Sequence, residues 1–179
     1  MELIWDEPEG LDANLRQVVI RSSRTGLYPY YDAPAPSYPD SPTAGEPVYT
    51  GLGNTATITF AGDGSERDIL SFQAFAVDQV GFVNSDTGGS RDRATNYFLA
   101  DVTAAGVPGY DHATDIYDVT WLGETFNLSS GELGFNAECD VGPTDDGTSS
   151  GLPQPDGVID LEDLMVFSDR FEVFLHPTT

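Results

Sequence analysis

Hydrophobic and polar residues alternate along several short stretches of the chain, which is the pattern of half-buried β-strands. The alternation is regular in Thr55–Phe60, where threonines separate alanine, isoleucine and phenylalanine. It recurs in Ile69–Val77, where Ser71 and Gln73 interrupt an apolar run. The 19 glycines and 12 prolines are spread between such stretches and mark turns. The pattern predicts a mainly β fold, specifically an antiparallel β-sandwich of the Ig-like or jelly-roll type.

Stretches rich in β-branched and aromatic residues are predicted to be strands, and they lie before residue 140. They are Leu3–Trp5, Gln17–Arg21, Pro47–Tyr49, Thr55–Phe60, Ile69–Val77, Gly81–Val83, Tyr97–Val102, Ile116–Trp121, Thr125–Leu128 and Glu132–Ala137. One short helix is predicted after Asp160, and no amphipathic helix of useful length before it. Its apolar residues recur at helical spacing at Leu161, Leu164, Val166 or Phe167, Phe171 and Phe174.

Residues 27–48 form a distinct segment with six prolines and four tyrosines. Proline lacks a backbone N–H group, which argues against a helix or a central strand. We expect an extended segment, either a strap laid across the sandwich or an arm that reaches a neighbouring molecule. The predicted organisation is a β-sandwich over residues 1–138, including this segment, followed by a calcium loop and helix over residues 139–179.

Acidic residues precede the predicted helix at the spacing of a calcium-binding loop. An EF-hand loop places oxygen ligands at positions 1, 3, 5, 7, 9 and 12, with a glycine at position 6. Counting back from Asp163 as the last ligand, the matching positions are Asp160, the carbonyl of Val158, Gly157 and Asp156. Asp140 matches the first position, although an insertion of about a dozen residues separates it from Asp156.

Calcium is the predicted cation because it is hard and prefers carboxylate and carbonyl oxygens. The predicted ligands are Asp140, Asp156, Val158, Asp160 and Asp163, with Asp145 and Asp146 in the insertion as secondary candidates. Asp160 also stands at the expected N-cap of the helix. Cation binding and helix initiation are therefore expected at the same place.

This tail resembles the calcium-binding repeat of type I dockerins, an EF-hand loop followed by a single helix. The resemblance covers roughly residues 140–175, and its core is Asp156-Gly-Val-Ile-Asp-Leu-Glu-Asp-Leu. It implies calcium binding through a single, interrupted repeat of dockerin or EF-hand type. Dockerins carry two repeats, and we expect only one here, so the loop is interpreted as a structural clasp rather than a cohesin-binding element. The β-rich remainder is assigned to no family.

Three further features have alternative interpretations. The stretch Asp111–Asp118 contains three carboxylates and a histidine. Transition-metal sites usually contain more imidazole or thiolate ligands, so we expect a solvated acidic edge there. Cys139, the one cysteine, is interpreted as a small buried residue, with an intermolecular thiol as the alternative. Asn127-Leu-Ser129 is the single glycosylation sequon, which makes Asn127 a candidate glycosylation site.

The charge of the chain is strongly negative. The 179 residues include 30 acidic and seven basic residues, which gives a formal charge of −23. All seven basic residues are arginine. Such a surface repels nucleic acid and anionic membranes and attracts cations. No apolar run reaches the ~18 residues that a membrane-spanning helix needs. We therefore expect no nucleic-acid partner, no membrane insertion, and an extracellular or cell-surface location.

Catalytic motifs are missing from the sequence: there is no nucleophile elbow and no glycine-rich phosphate loop. We therefore predict a non-catalytic, calcium-binding structural protein, a self-assembling subunit of a fibre or surface layer that binds copies of itself. The apolar strip Leu3–Trp5 is a candidate to add as a strand to a neighbour. The alternative is a carbohydrate-binding or cell-surface recognition module of a dockerin-bearing system, in which Trp5, Trp121 and the tyrosines of residues 28–38 contact glycans.

Overall fold

The computed structural model describes residues 1–6, 14–31, 37–59, 66–84 and 91–173. In these ranges the protein is mainly β, with antiparallel sheets and two helices. The strands are β1 (Glu2–Ile4), β2 (Leu15–Arg24), β3 (Glu46–Gly51), β4 (Thr55–Thr57), β5 (Ile69–Asp78), β6 (Val83–Asn84), β7 (Arg91–Thr95), β8 (Thr103–Ala104) and β9 (Val107–Pro108). The helices are α1 (Ile116–Thr125) and α2 (Leu161–Val173).

A five-stranded sheet has the order β3-β2-β5-β6, and β7 also pairs with β5. Its centre is the long antiparallel pair β2 and β5, in which Val18 lies opposite Ala76 and Arg24 lies opposite Leu70. Successive side chains of a strand point to opposite faces. Since successive residues in both strands are apolar, apolar side chains lie on each face of the sheet. One face buries Val18, Ile20, Leu70 and Phe72, and a separate cluster contains Val19, Phe75 and Val77.

The N-terminal strand β1 pairs with β4 of its own chain, so that Leu3 lies opposite Ala56. The pairing continues at both ends of the two strands, where Trp5 donates to Asn54 and the N–H of Ile58 donates to Met1. This ribbon packs against the sheet face that buries Val18, Ile20, Leu70 and Phe72. Leu3–Trp5, the candidate strand for pairing with a neighbouring molecule, is thus paired within its own chain.

Helix α1 occupies a stretch for which the sequence pattern favoured strands, and the expectation of no helix before residue 160 is wrong. Asp115 caps its N-terminus, and a capping box links Asp115 with Asp118. Asp118 and Leu122 are both buried, at the i, i+4 spacing of a helix face rather than the spacing of a strand. The predicted strands that are not strands in the structure are Tyr97–Val102, Ile116–Trp121, Thr125–Leu128 and Glu132–Ala137.

Two compact units are present. The first comprises Met1–Gly26, Ala35–Phe60 and Ile69–Ala94, and holds the five-stranded sheet and the β1–β4 ribbon. The second comprises Leu27–Pro34, Ala61–Asp68 and Thr95–Thr179, and holds both helices and the β8–β9 hairpin. The predicted boundary between residues 138 and 139 lies inside the second unit.

The core of the second unit surrounds the two helices. Cys139 is fully buried there as a free thiol, in agreement with its interpretation as a small core residue. The buried members of this core are Leu99, Ala100, Val102, Leu122, Cys139, Val141, Ile159, Val166 and Phe167. In the described part of the chain, neither helix has the length and apolarity needed to cross a membrane.

Several of the aromatic residues that we considered for glycan contact pack on their own units, whereas Tyr30 is 60% exposed. Trp5 lies against Tyr49, with ring centroids 4.9 Å apart. Trp121 packs against the core of the second unit. Tyr28, at the start of the proline-rich segment, contacts the ring of Tyr97 edge-on. Residues 32–36 of that segment lie outside the described ranges.

Candidate metal centre

The predicted calcium-binding carboxylates lie on a long loop that leads into the first turn of α2. Asp140 is buried at the start of the loop, and Asp163 is buried in the first turn of the helix. Asp160 is half-buried just before the helix, and Asp156 is exposed. The loop belongs to the second unit. It therefore carries all four carboxylates, two of which are withdrawn from solvent.

Asp163 fastens the start of this loop to α2. Its Oδ1 accepts hydrogen bonds from the N–H groups of Val141 and Gly142, each 2.7 Å long. Its Oδ2 accepts a third hydrogen bond, of 2.8 Å, from the N–H of Asp160. Negative charge is favoured in the first turn of a helix, because the N–H groups there carry partial positive charge. The Asp163 carboxylate thus closes the loop and caps the helix.

Asp140 holds the middle of the loop to its beginning. Its Oδ1 accepts a hydrogen bond of 3.2 Å from the N–H of Asp156, and its Oδ2 accepts one of 3.0 Å from the N–H of Gly157. Gly157 has a φ angle of +83°, which glycine adopts without steric cost. Asp156 in turn accepts a hydrogen bond of 2.9 Å from the N–H of Val158. The loop is therefore closed across the insertion by one buried carboxylate.

The electrostatic environment of the loop disfavours a bare negative charge. Burial raises the pKa of Asp140 to about 6, and the charge of Asp163 adds to that rise. Burial also raises the pKa of Asp163, although its backbone hydrogen bonds oppose the shift. Neighbouring carboxylates in a poorly solvated place destabilise each other's charged form. A bound cation would relieve this repulsion.

These carboxylates are not gathered into a preformed metal centre. Within the ranges that the structure describes, no group of three or more Asp, Glu, His or Cys side chains is placed to hold a metal ion. Backbone N–H groups engage their oxygens instead. An ionised carboxylate offers about four acceptor sites, and the described hydrogen bonds of Asp140 use two of them. The oxygen-only donor set fits a hard cation, and coordination would require the loop to draw its carboxylates together.

The secondary candidates lie within the insertion. Asp145 accepts a hydrogen bond of 2.7 Å from the N–H of Leu152, and exposed Asp146 accepts hydrogen bonds from the N–H and hydroxyl of Thr148. These hydrogen bonds lower the pKa of Asp146. Arg170 of α2 donates to the carbonyl of Ser149 and so connects the insertion to the helix. In this arrangement Asp145 and Asp146 shape the insertion itself.

The remaining predicted residues lie where the segment after α1 meets the loop. Val158 forms an antiparallel bridge with Ser129. The N–H of Asn127 donates to the carbonyl of Ile159, and the N–H of Ile159 donates to the carbonyl of Leu128. Asn127 is exposed. The turn that carries the sequon is thus hydrogen-bonded to the candidate calcium loop.

A second loop, which sequence reasoning missed, repeats the same hydrogen bonds at the N-terminus of α1. Oδ1 of Asp118 accepts hydrogen bonds of 2.8 Å from the N–H groups of Val102 and Thr103. Oδ2 of Asp118 accepts one of 2.8 Å from the N–H of Asp115. Asp118 is thereby equivalent to Asp163. The expectation of a solvated acidic edge is wrong for Asp118, which is buried.

The equivalence extends through the loop. Oδ1 of Asp101 accepts a hydrogen bond of 3.3 Å from the N–H of Asp111, as Asp140 does from Asp156. His112 has a φ angle of +66° at the position that corresponds to Gly157. In each loop the first and last carboxylates are buried, the second is exposed and the third is half-buried. The residues of the first loop, in that order, are Asp101, Asp111, Asp115 and Asp118.

The sequence does carry a signal for this repeat. Asp115-Ile-Tyr-Asp118 matches Asp160-Leu-Glu-Asp163, and Asp101-Val102 matches Asp140-Val141. Reading Ile116–Trp121 as a strand concealed the match, because the Asp-x-x-Asp spacing makes a capping box only at the start of a helix.

No protein-family model, curated protein or solved structure gives a significant match to the chain. The function must therefore be argued from the chain's own residues, and the resemblance to dockerins stays a prediction.

Proposed function

We propose that this chain is a non-catalytic, calcium-binding structural protein that acts outside the cell. In this proposal calcium binds to the loop from Asp140 to Asp163 and fastens α2 to the loop. The observation that carries the proposal is the pair of buried carboxylates, Asp140 and Asp163, whose pKa values are both raised by burial. Charge in such a place is costly unless an opposite charge accompanies it.

Calcium would be held by the carboxylates of Asp140, Asp156, Asp160 and Asp163 and by the carbonyl of Val158. When bound, the ion supplies positive charge that neutralises the carboxylates. The chain's contribution is to close the loop through the Asp140 and Asp163 hydrogen bonds, and the closed loop would then draw the ligand oxygens together around the ion. Because binding then requires the folded loop, calcium would stabilise the folded state by mass action.

Self-assembly into a fibre or surface layer is the role that we propose for the protein. A formal charge of −23 keeps subunits apart, and divalent cations reduce that repulsion. The edge of the five-stranded sheet supports a contact between copies, since Val80 and Phe82, near β6, are 79% and 76% exposed. We also propose that the ribbon and sheet of the first unit form a β-sandwich, with the ribbon packed on one face.

Calcium binding is tested by isothermal titration calorimetry on the full chain after chelator treatment. Wild type is expected to bind calcium. Asp140→Asn should lose the ion bound at this loop while keeping one of the two oxygen acceptors for the loop hydrogen bonds. Glu124→Gln, on the exposed surface of α1, is the matched control, because it removes one negative charge from a residue that is not a candidate ligand. Absence of binding at millimolar calcium would refute the proposal.

Assembly is tested separately by light scattering and electron microscopy, with calcium and with chelator. We expect filaments or sheets in calcium that disperse on chelation. A double variant, Val80→Asp with Phe82→Asp, should bind calcium normally and assemble poorly. A monodisperse monomer of the wild type in millimolar calcium would rule out the assembly role and leave the calcium site standing.

A further inference from the structure

We propose that copies of the chain join head to tail, with the outer edge of β1 in one copy pairing with the β6–β7 edge of the next. The outer edge of β1 is the side of that strand that faces away from β4. Both edges belong to the first unit. The inference rests on the proposed assembly role and names the two surfaces that meet, each of which is a strand edge able to extend a sheet.

Strand β1 uses one of its two edges within the chain. Met1 and Ile58 exchange two backbone hydrogen bonds, of 3.1 Å and 2.9 Å. In an antiparallel pair, residues that are hydrogen-bonded to the partner strand alternate with residues whose backbone groups point away from it. Glu2 and Ile4 therefore direct their N–H and C=O groups along the outer edge. Among the residues that the structure describes, β1 pairs with β4 alone, so this edge is open.

Strands β6 and β7 form an open edge of the five-stranded sheet. Because β5 pairs with β2 along the whole of Leu70–Asp78, β6 and β7 must both lie along the other side of β5. The N–H of Asp78 donates to the carbonyl of Phe82. By the same alternation, the next residue, Val83, directs its backbone groups away from β5.

The turn before β6 holds two apolar side chains in the solvent. Oδ1 of Asp78 accepts hydrogen bonds of 2.9 Å from the N–H of Val80 and 2.8 Å from the N–H of Phe82. Gly81 between them has a φ angle of +91°. Val80 and Phe82 are thus exposed on an ordered turn, and an exposed apolar patch of this kind marks an interaction surface.

The two edges are complementary in charge as well as in polarity. Strand β7 carries Arg91 and Arg93, two of only seven basic residues in a chain of formal charge −23. Strand β1 carries exposed Glu2 and is followed by exposed Asp6, and its Ile4 is 73% exposed. Pairing would set acidic side chains near arginines and an isoleucine near the apolar turn. Such complementarity fixes the choice and register of a partner.

The opposite edge of the sheet is blocked. Pro47 of β3 has no N–H group to donate, and the register of β3 on β2 is interrupted between Ile20 and Arg21. Prolines and bulges are devices by which proteins prevent pairing at a sheet edge. The sheet therefore offers one edge for growth, and β1 offers a different one. A contact between two different surfaces can continue from copy to copy, which produces a fibre rather than a closed dimer.

Disulfide trapping tests the contact directly. Ile4→Cys and Val83→Cys are prepared as separate chains, mixed in millimolar calcium, oxidised mildly and analysed on a denaturing gel without reductant. We expect a covalent dimer in the mixture and none in either variant alone. Wild type is the control for the native Cys139, which is fully buried and should form no crosslink.

A charge exchange tests the same contact without cysteine. Arg93→Glu should raise the critical concentration for assembly by about tenfold or more, because like charges set against each other across an interface are strongly unfavourable. Adding Glu2→Arg to the same chain should restore assembly. Adding Glu46→Arg instead makes the same change of net charge on the blocked edge β3 and should restore nothing.

The outcomes separate this inference from the proposed function. A covalent dimer in Val83→Cys alone would show that two β6 edges meet each other, which refutes the head-to-tail pairing and leaves the assembly role standing. Wild-type filaments that yield no crosslink in the mixture and are unaffected by Arg93→Glu would have the same meaning. A wild type that stays monomeric in millimolar calcium would overturn both the pairing and the assembly role.

Discussion

Asp118 and Asp163 make the same three hydrogen bonds to the backbone in two different loops. Each accepts through Oδ1 from two consecutive N–H groups at the start of its loop, and through Oδ2 from the N–H three residues before it. Each also lies in the first turn of a helix. Because one carboxylate satisfies three donors, it joins a distant segment to a helix terminus. The second unit therefore contains a structural repeat.

Replacing either residue should release its loop. Asp163→Ala removes acceptors from three N–H groups, two of which belong to buried residues. We expect the free energy of unfolding to fall by about 2–4 kcal/mol, as hydrogen bonds to charged groups are worth about 1.5–3 kcal/mol and the desolvation cost of the carboxylate offsets part of the sum. Asp118→Ala should lower the free energy of unfolding by a similar amount.

Urea denaturation in chelator, followed by circular dichroism, measures this loss without a contribution from metal. Glu124→Ala is the control, because Glu124 is an exposed carboxylate on α1. If Asp163→Ala lowers the free energy of unfolding no more than the control does, the hydrogen bonds of Asp163 contribute little to stability.

Stability without metal should depend on pH through Asp101 and Asp140. Their pKa values are raised to about 7 and about 6, mainly by burial, whereas an unfolded aspartate titrates near ~3.9. Between these values the folded protein holds protons that the unfolded chain releases. The stability that these two groups contribute is therefore greatest below about pH 4, and it is lost as the pH rises to about 7.

The contribution of Asp101 is isolated by comparing wild type with Asp101→Asn. In chelator at constant ionic strength, the wild type should lose on the order of 1–2 kcal/mol more than the variant between pH 4 and 7, allowing for solvent screening. Parallel pH profiles would show that Asp101 titrates normally.

Gly142 is required because the backbone of α2 passes close to it. A Cβ atom at Gly142 would lie 2.6 Å from the carbonyl carbon of Glu162 and 2.7 Å from the nitrogen of Asp163. Since both atoms belong to the backbone, neither can move aside cheaply. We expect Gly142→Ala to cost at least about 2 kcal/mol, a typical penalty for overpacking.

Gly123 offers the matched substitution. It lies within α1, and a Cβ atom there would meet nothing within 4 Å. Gly123→Ala should therefore stabilise the protein by roughly 0.5–1 kcal/mol through helix propensity. Thermal and chemical denaturation of the two variants should move in opposite directions, and a shared direction would contradict the close approach at Gly142.

Arg170 should control the order of the insertion. Its guanidinium donates to the carbonyl of Ser149 through two nitrogens and lies 5.4 Å from the centre of the Phe98 ring. Arg170→Lys loses the forked geometry, and we expect amide hydrogen exchange of Gly147 and Gly151 to accelerate about fivefold, corresponding to about 1 kcal/mol. Exchange at Gly142, whose N–H donates to Asp163, is the internal reference, and equal acceleration there would indicate general loosening.

Some elements were predictable because their local sequence pattern is strong. Strand β5 lies where the pattern of Ile69–Val77 predicts a strand, although Ser71 and Gln73 are buried together with the apolar residues, and α2 lies where the apolar spacing after Asp160 predicts a helix. Helix α1 was missed because its valine, threonine and tryptophan favour strands locally, whereas the helix is selected by the Asp115–Asp118 capping box and by burial of Leu122. Propensity is a weak prior that tertiary packing overrides.

Part of the candidate site was predictable because its residues follow a local spacing. The spacing of Asp156, Asp160 and Asp163 is visible in the sequence, as are the surplus of carboxylates and the glycine at the turn. The sequence by itself thus determined the charge, the strand alternation of the sheet and the existence of one candidate loop. The tertiary structure alone decided which carboxylates are buried, that the segment carrying Asp118 is a helix rather than a strand, and which N–H groups Asp118 and Asp163 accept from. The reason is physical: burial and long-range hydrogen bonding join residues that are far apart in the chain, and local sequence patterns do not specify which distant groups will meet.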